Sequence, residues 1–121
     1  MAINSKDKGK RGELLWAKFC REHGFEDVRR TAQYCGNTGE ASDCVGLPFI
    51  HQEVKNVERL NIRTAMFQAE YDAKEEEIPI VAHKMNRKPW LVTMSADNFF
   101  KLYKAWLKGV KGVSNGEQGQ A

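Results

Sequence analysis

A chain of 121 residues with 41% hydrophobic side chains is the size of one ordinary domain, with enough apolar content for a core. No apolar run approaches the length of a membrane span, and the polar stretch 1–11 lacks the apolar segment of a secretory signal. An intracellular, cytoplasmic protein is expected, and its three cysteines, with no Cys-x-x-Cys pair, argue against a disulfide framework.

In chain order, residues 1–11 read as a flexible basic leader, with Lys8-Gly9-Lys10-Arg11-Gly12 running into a helix over 12–23. Leu15, Trp16, Phe19 and Cys20 form its apolar stripe, and Gly24 is a natural stop. Glu13 lies at the edge of that stripe. A first-turn glutamate favoured by the helix dipole explains it as well as a functional role does. Residues 25–31 suggest a short strand ending in Arg29-Arg30, and 32–41, with Gly36-Asn37-Thr38-Gly39, reads as a loop.

The stretch 42–55 is the most informative. Asp43 is followed by a turn at Gly46-Leu47-Pro48 and a run ending Glu53-Val54-Lys55, which predicts a hairpin of 43–47 with 49–56. Alternation puts Ile50, Gln52 and Val54 on one face, and Phe49, His51, Glu53 and Lys55 on the other. A helix capped by Asn61 follows, with Ile62, Ala65, Met66, Ala69 and Ala73 at helical spacing. Glu75-Glu76-Glu77 closes it on a solvated face. Strands are expected at 78–83 and 90–94, joined by a basic loop over 84–89. Ser95 then caps a final helix whose stripe of Phe99, Phe100, Tyr103, Trp106 and Leu107 suits a core or a dimer contact better than base stacking. Residues 109–121 read as a disordered tail. The order α-β-β-β-α-β-β-α implies an α/β sandwich with a mixed central sheet, spanning 12–108.

Net charge is only +3, but it is unevenly spread. Residues 1–30 carry 8 basic and 5 acidic side chains, 40–77 carry 4 and 9, and 84–111 carry 7 and 1. An acidic middle between basic flanks fits a metal site between phosphate-binding surfaces, and it also fits ordinary solvated charge.

Asp43, Glu53 and Lys55 carry the chemical signal. Two carboxylates and an ammonium gathered beside a core are costly unless something charged binds there. Phosphodiester hydrolysis needs that arrangement: carboxylates holding Mg²⁺ or Mn²⁺ activate water, and a lysine neutralises developing charge. The carbonyl of Val54 offers a further metal ligand whatever the side chain.

The pattern Asp43-x9-Glu53-x-Lys55, on a hairpin after a helix and a strand, resembles the PD-(D/E)XK nuclease superfamily. Within it, the chain looks most like the archaeal-type Holliday junction resolvases and their small phage relatives. The resemblance covers roughly residues 8–107 and includes Lys10-Arg11-Gly12-Glu13, Arg29-Arg30 before the glycine-rich loop, and Gln68. It implies a restriction-endonuclease-like α/β/α sandwich and a Mg²⁺- or Mn²⁺-dependent DNA endonuclease. Branched or four-way DNA would be the substrate, in recombination or repair. A homodimer would be the working form, because resolution needs two active sites.

Residue by residue, the resemblance implies Asp43 and Glu53 as metal ligands and Lys55 as the catalytic lysine. Glu13 would complete the metal site, and Gln68 would lie beside it to orient Lys55 or a phosphate. Lys10, Arg11, Arg29, Arg30, Lys84, Arg87 and Lys88 are candidate phosphate contacts, with Thr31, Tyr34, Asn37 and Thr38 of the following loop. Ser42 departs from the pattern, standing where the family's namesake proline would be, and its hydroxyl could bind a metal-held water or a phosphate.

Three alternatives stand beside this reading. A zinc module could draw on Cys20, His23, Cys35 and Cys44, although the spacing lacks the close pairs of zinc folds. A non-catalytic nucleic-acid binding module explains the basic flanks but not Asp43, Glu53 and Lys55 together. A nicking, repair or restriction-type nuclease of the same superfamily explains both. His51 and His83 read as sheet residues, with a role beside Glu53 left open for His51.

Overall fold

The computed structural model describes residues 5–31 and 42–116. Its elements run α1 (Ser5–Glu22), β1 (Arg29–Arg30), β2 (Cys44–Val45), β3 (Ile50–Asn56), α2 (Ile62–Asp72), β4 (Ile78–Lys84), β5 (Leu91–Thr93) and α3 (Ala96–Gly116). The order is the expected α-β-β-β-α-β-β-α. The five strands form one sheet in the order β1-β2-β3-β4-β5. Pairing is antiparallel throughout except between β3 and β4, which run parallel from Ile50↔Ile78 to Asn56↔Lys84. A parallel pair needs a crossover, and α2 supplies it.

Strand alternation sorts the core into two layers. Val54, Ile80 and Ala82 face α1 and pack with Trp16, Ala17, Cys20, Val28 and Cys44. Val81, on the opposite face, packs with Ala65 and Ala69 of α2. The chain is therefore α/β, a five-stranded mixed sheet with α1 on one face and α2 on the other. Among the described residues no helix is long and apolar enough to cross a membrane.

Several boundaries differ from expectation. α1 begins at Ser5, not at Gly12, so most of the expected leader is helical. Lysine and arginine are good helix formers, and Asp7 in the first turn complements the dipole. Gly12 is a contact residue: a Cβ there would lie 2.6 Å from Asn56 Cβ, so its absence lets α1 approach β3. The predicted strand over 25–31 shrinks to Arg29–Arg30. α3 continues through Gly116, so residues 109–116 of the expected tail are helical. The hairpin turn falls where expected, and Gly46 suits it twice over: its φ is +112°, and a Cβ there would meet the Asp27 carbonyl oxygen at 2.5 Å. Both predicted caps form: Asn61 Oδ1 accepts from Thr64 N at 3.1 Å, and Ser95 Oγ accepts from Asn98 N at 3.1 Å.

Of the two places expected for the aromatic stripe of α3, a core or a dimer contact, the core is not the one found: none of the described residues of α3 is buried in the single chain. Its rings pack on one another instead.

The α1–β3 contact gives a first test. Gly12→Ala should destabilise the fold by about 1–3 kcal/mol, the usual cost of overpacking. Gly9→Ala, at a site with open space, should be neutral or slightly stabilising. Urea denaturation of the two variants against the parent protein decides this.

Candidate metal and nuclease site

The hairpin β2–β3 carries the acidic cluster. Asp43 precedes β2 and is held three ways: its N–H donates to Gln52 O at 2.9 Å, its carbonyl accepts from Thr31 N at 3.0 Å, and its Oδ2 accepts from Val54 N at 2.8 Å. The N–H and C=O of a strand residue point the same way, so the Val54 carbonyl also aims toward the Asp43 side. There the β2–β3 ladder has already ended at Cys44↔Gln52.

The Asp43 carboxyl is pushed up to about 7, mainly by burial, then by the Glu53 charge, with Glu13 adding to it. The Val54 amide and Lys55 act in the opposite direction and do not offset this. The same negative field raises the Cys44 thiol to about 12, through burial first and then Glu13 and Asp43. Glu13, Asp43, Glu53 and Lys55, from α1 and both hairpin arms, are thus electrostatic neighbours.

They do not yet converge as ligands. Among the described residues, the acidic and histidine side chains whose ligand atoms all lie within 4.8 Å of one another are His51, Glu53 and Asp72, not Glu13, Asp43 and Glu53. Glu13 Oε1 is taken by Arg30 Nε, and Glu53 Oε1 by His51 Nε2 at 2.9 Å. His51 is in turn braced by Ser42 Oγ, 2.7 Å from its Nδ1. A carboxylate only accepts, so Nε2 donates to Glu53.

Ser42, His51 and Glu53 therefore form a buried serine–histidine–carboxylate line. Ser42 is 7% exposed and its oxygen also faces the Gln52 N–H at 3.4 Å, so it serves as a strut and not as an exposed nucleophile. The hydroxyl that was read as a possible partner of a metal-held water or phosphate is turned to His51 here.

The other predicted residues divide. Gln68 is exposed, and its amide donates to Asp72 Oδ2 at 2.6 Å, so it reaches the Glu53 cluster through Asp72 and not through Lys55. Thr31 is not a free phosphate contact. It is buried, and its hydroxyl donates to the carbonyl of Ser42 at 2.8 Å, with that of Asp43 at 3.2 Å. Arg30 is committed to Glu13, whereas Arg29 is exposed.

Lys10 and Arg11 are exposed one turn or less from Gly12, which touches Asn56. Asn56 pairs with Lys84, and the exposed Arg87 and Lys88 follow in the β4–β5 loop. Lys84 Nζ donates to Met85 O at 3.0 Å and lies over the Trp90 ring. These cations gather at the carboxyl ends of β3 and β4, the end of an open α/β sheet where ligands bind. Tyr34, Asn37, Thr38 and Cys35 lie outside the described residues. Cys20 and Cys44 are core thiols, which removes both from a zinc set.

Sequence reasoning missed Asp72 and the bracing of Glu53 by His51 and Ser42. His51 shared the face of Glu53, which was a usable signal. Asp72 reaches the cluster from the far end of α2, a placement that no local pattern encodes.

Among the described residues, His51, Glu53 and Asp72 are the side chains that could together hold a metal ion. A carboxyl held near neutrality by burial and like charge is relieved by a cation, and carboxylate and carbonyl oxygens suit Mg²⁺ or Mn²⁺.

Asp43 also predicts a pH response in metal-free protein. Its folded value lies above the ordinary 3.8, so between these values the folded state binds a proton that the unfolded state has lost. Stability therefore falls as pH rises from about 4 to about 7 and levels off above. Asp43→Asn should remove that component. Its stability relative to the parent should rise across this window, measured by thermal unfolding in EDTA.

No protein-family model, curated protein or solved structure matches the chain.

Proposed function

We propose that this protein is a Mg²⁺- or Mn²⁺-dependent DNA endonuclease of the PD-(D/E)XK kind, with a restriction-endonuclease-like sandwich, acting on branched or four-way DNA in a Holliday junction resolvase-like manner. One observation carries the reading. The half-buried Asp43 carboxyl, pushed up to about 7, sits on a hairpin with Glu53 and Lys55 and near Glu13, where burial and the neighbouring carboxylates outweigh the Lys55 charge. Element order and the spacing Asp43-x9-Glu53-x-Lys55 support it.

Asp43, Glu53 and the Val54 carbonyl would hold the cation, with Glu13 joining once released from Arg30. The metal would lower the pKa of a bound water and stabilise charge on the phosphate. Lys55, on the Glu53 face of β3, would neutralise charge developing on the scissile phosphate. His51 keeps Glu53 in a fixed orientation, as outer partners of metal-held carboxylates do. Lys10, Arg11, Arg29, Lys84, Arg87 and Lys88 would contact backbone phosphates, fixing register without reading sequence.

Cleavage of a panel of four-way junctions, flaps and linear duplexes tests the reading. With Mg²⁺ the junction should be cut in preference to duplex, by paired symmetric nicks. Asp43→Ala and Glu53→Ala should abolish cutting while leaving binding intact. His51→Asn should lower activity about 10–100-fold. Metal-independent cutting, or full activity in both carboxylate variants, would sink the assignment. Binding should weaken with salt at a log–log slope of about −0.9 per phosphate neutralised.

A further inference from the structure

The α2 face of the sheet carries a set of donors that the nuclease reading does not use together. One ligand atom each of His51, Glu53 and Asp72 lies within 4.8 Å of the other two. β3 supplies His51 and Glu53, two residues apart and so on one face, and Asp72 is the last residue of α2. The first two are buried and Asp72 is half-buried, which gives an ion a way in past the helix end. Only Glu53 is shared with the hairpin acids.

Two of the three donors have the outer partners that metal ligands have. Ser42 Oγ lies 2.7 Å from His51 Nδ1, the ring nitrogen turned away from Glu53. Gln68 Nε2 donates to Asp72 Oδ2 at 2.6 Å. Such contacts fix the tautomer of a ligating imidazole and the orientation of a ligating carboxylate. The surrounding charge also favours a cation. Glu77 Oε1 is 3.9 Å from His51 Nδ1, and residues 70–77 hold Glu70, Asp72, Glu75, Glu76 and Glu77 against one base, the exposed Lys74. Lys55 lies on the same face of β3 but four residues from His51, roughly 13 Å along the strand. Arg63 is nine residues back from Asp72, roughly 13–14 Å along α2.

We propose that His51, Glu53 and Asp72 form a three-ligand site for Zn²⁺, with water in the fourth position, separate from the Mg²⁺ or Mn²⁺ position of the hairpin acids. The imidazole selects the ion. Mg²⁺ takes oxygen ligands, whereas imidazole with carboxylates suits Zn²⁺, which also binds such sites more tightly than Mn²⁺. In the ion-free protein the Nε2–H of His51 donates to Glu53 Oε1 at 2.9 Å. The ion takes the place of that proton, and the ring proton moves to Nδ1, where Ser42 Oγ accepts it. Tetrahedral bonds of about 2.0–2.1 Å set ligand atoms roughly 3.3 Å apart, so the His51–Glu53 pair opens only slightly while Asp72 closes from the helix end. The site stands whether or not the protein cleaves DNA.

Titration calorimetry of the untagged full chain with zinc chloride tests it, with ¹⁵N NMR of protein labelled at its three histidines to identify the ligand. One Zn²⁺ per chain should bind, and an excess of Mg²⁺ should not displace it. The His51 ring should show a metal-bound Nε2 and a proton on Nδ1. Ser42→Ala, which removes only an outer partner, should weaken binding about 10–100-fold, and Asp72→Asn, which removes a ligand, by more. Circular dichroism checks the fold of both variants, and the histidine spectrum of the parent decides even where a variant does not fold. No binding, or binding that both folded variants leave unchanged, would overturn the proposal. So would Zn²⁺ that shifts the His23 or His83 ring in place of His51. So would an ion that Asp43→Asn removes and Asp72→Asn retains, since it belongs to the hairpin acids.

Discussion

The indole N–H of Trp16 donates to Gln52 Oε1 at 2.8 Å inside the α1–sheet core, and the arrangement of the candidate site depends on that bond. It ties the middle of α1 to the middle of β3, across 36 residues of chain. Once that register is set, Glu13 lies one turn up the helix, beside the hairpin arm that carries Asp43. The bond is also a compromise, since Gln52 Nε2 remains buried without a partner. An unsatisfied buried amide costs about 1–3 kcal/mol. A strand built only to be stable would place an aliphatic side chain there.

β3 as a whole shows the same tension. His51, Gln52 and Glu53 are three consecutive buried polar residues in a sheet interior, where strands flanked by helices on both faces ordinarily read as apolar runs. Each is held by a specific neighbour: Ser42 braces His51, His51 holds Glu53, and Trp16 holds the Gln52 side-chain carbonyl. The network is long-range and directional, so it specifies one register of helix on sheet where apolar packing alone would tolerate several. The acidic site is thereby mounted on a strand between two core layers.

Much of the architecture was legible in the sequence because it rests on short-range rules. Gly46 and Pro48 marked the hairpin, Asn61 and Ser95 marked helix starts, and the alternation of Ile50, Gln52 and Val54 assigned the faces of β3. What escaped rests on tertiary placement. Gly12 looked like a flexible residue because a close approach to Asn56 cannot be seen one residue at a time. Thr31 looked like a free hydroxyl because its acceptors, the Ser42 and Asp43 carbonyls, lie more than ten residues away in sequence. Asp72 and Gln68 acquire a place near Glu53 only through the packing of Ala65 and Ala69 on Val81. For α3 the periodicity showed an apolar stripe correctly, yet a stripe does not say what covers it.

The strand order has a consequence for how this molecule meets its surroundings. Its sheet ends on β1, two residues long and made of Arg29 and Arg30, and on β5, three residues long and followed at once by α3. Short margins, one of them charged, discourage recruitment of a foreign strand, the route by which open sheets polymerise into fibres. Backbone templating has little to grip on two- and three-residue rims, which favours side-chain surfaces as the means of recognition. A fold guarded in this way can keep an apolar helix in water without the helix becoming a seed for uncontrolled assembly.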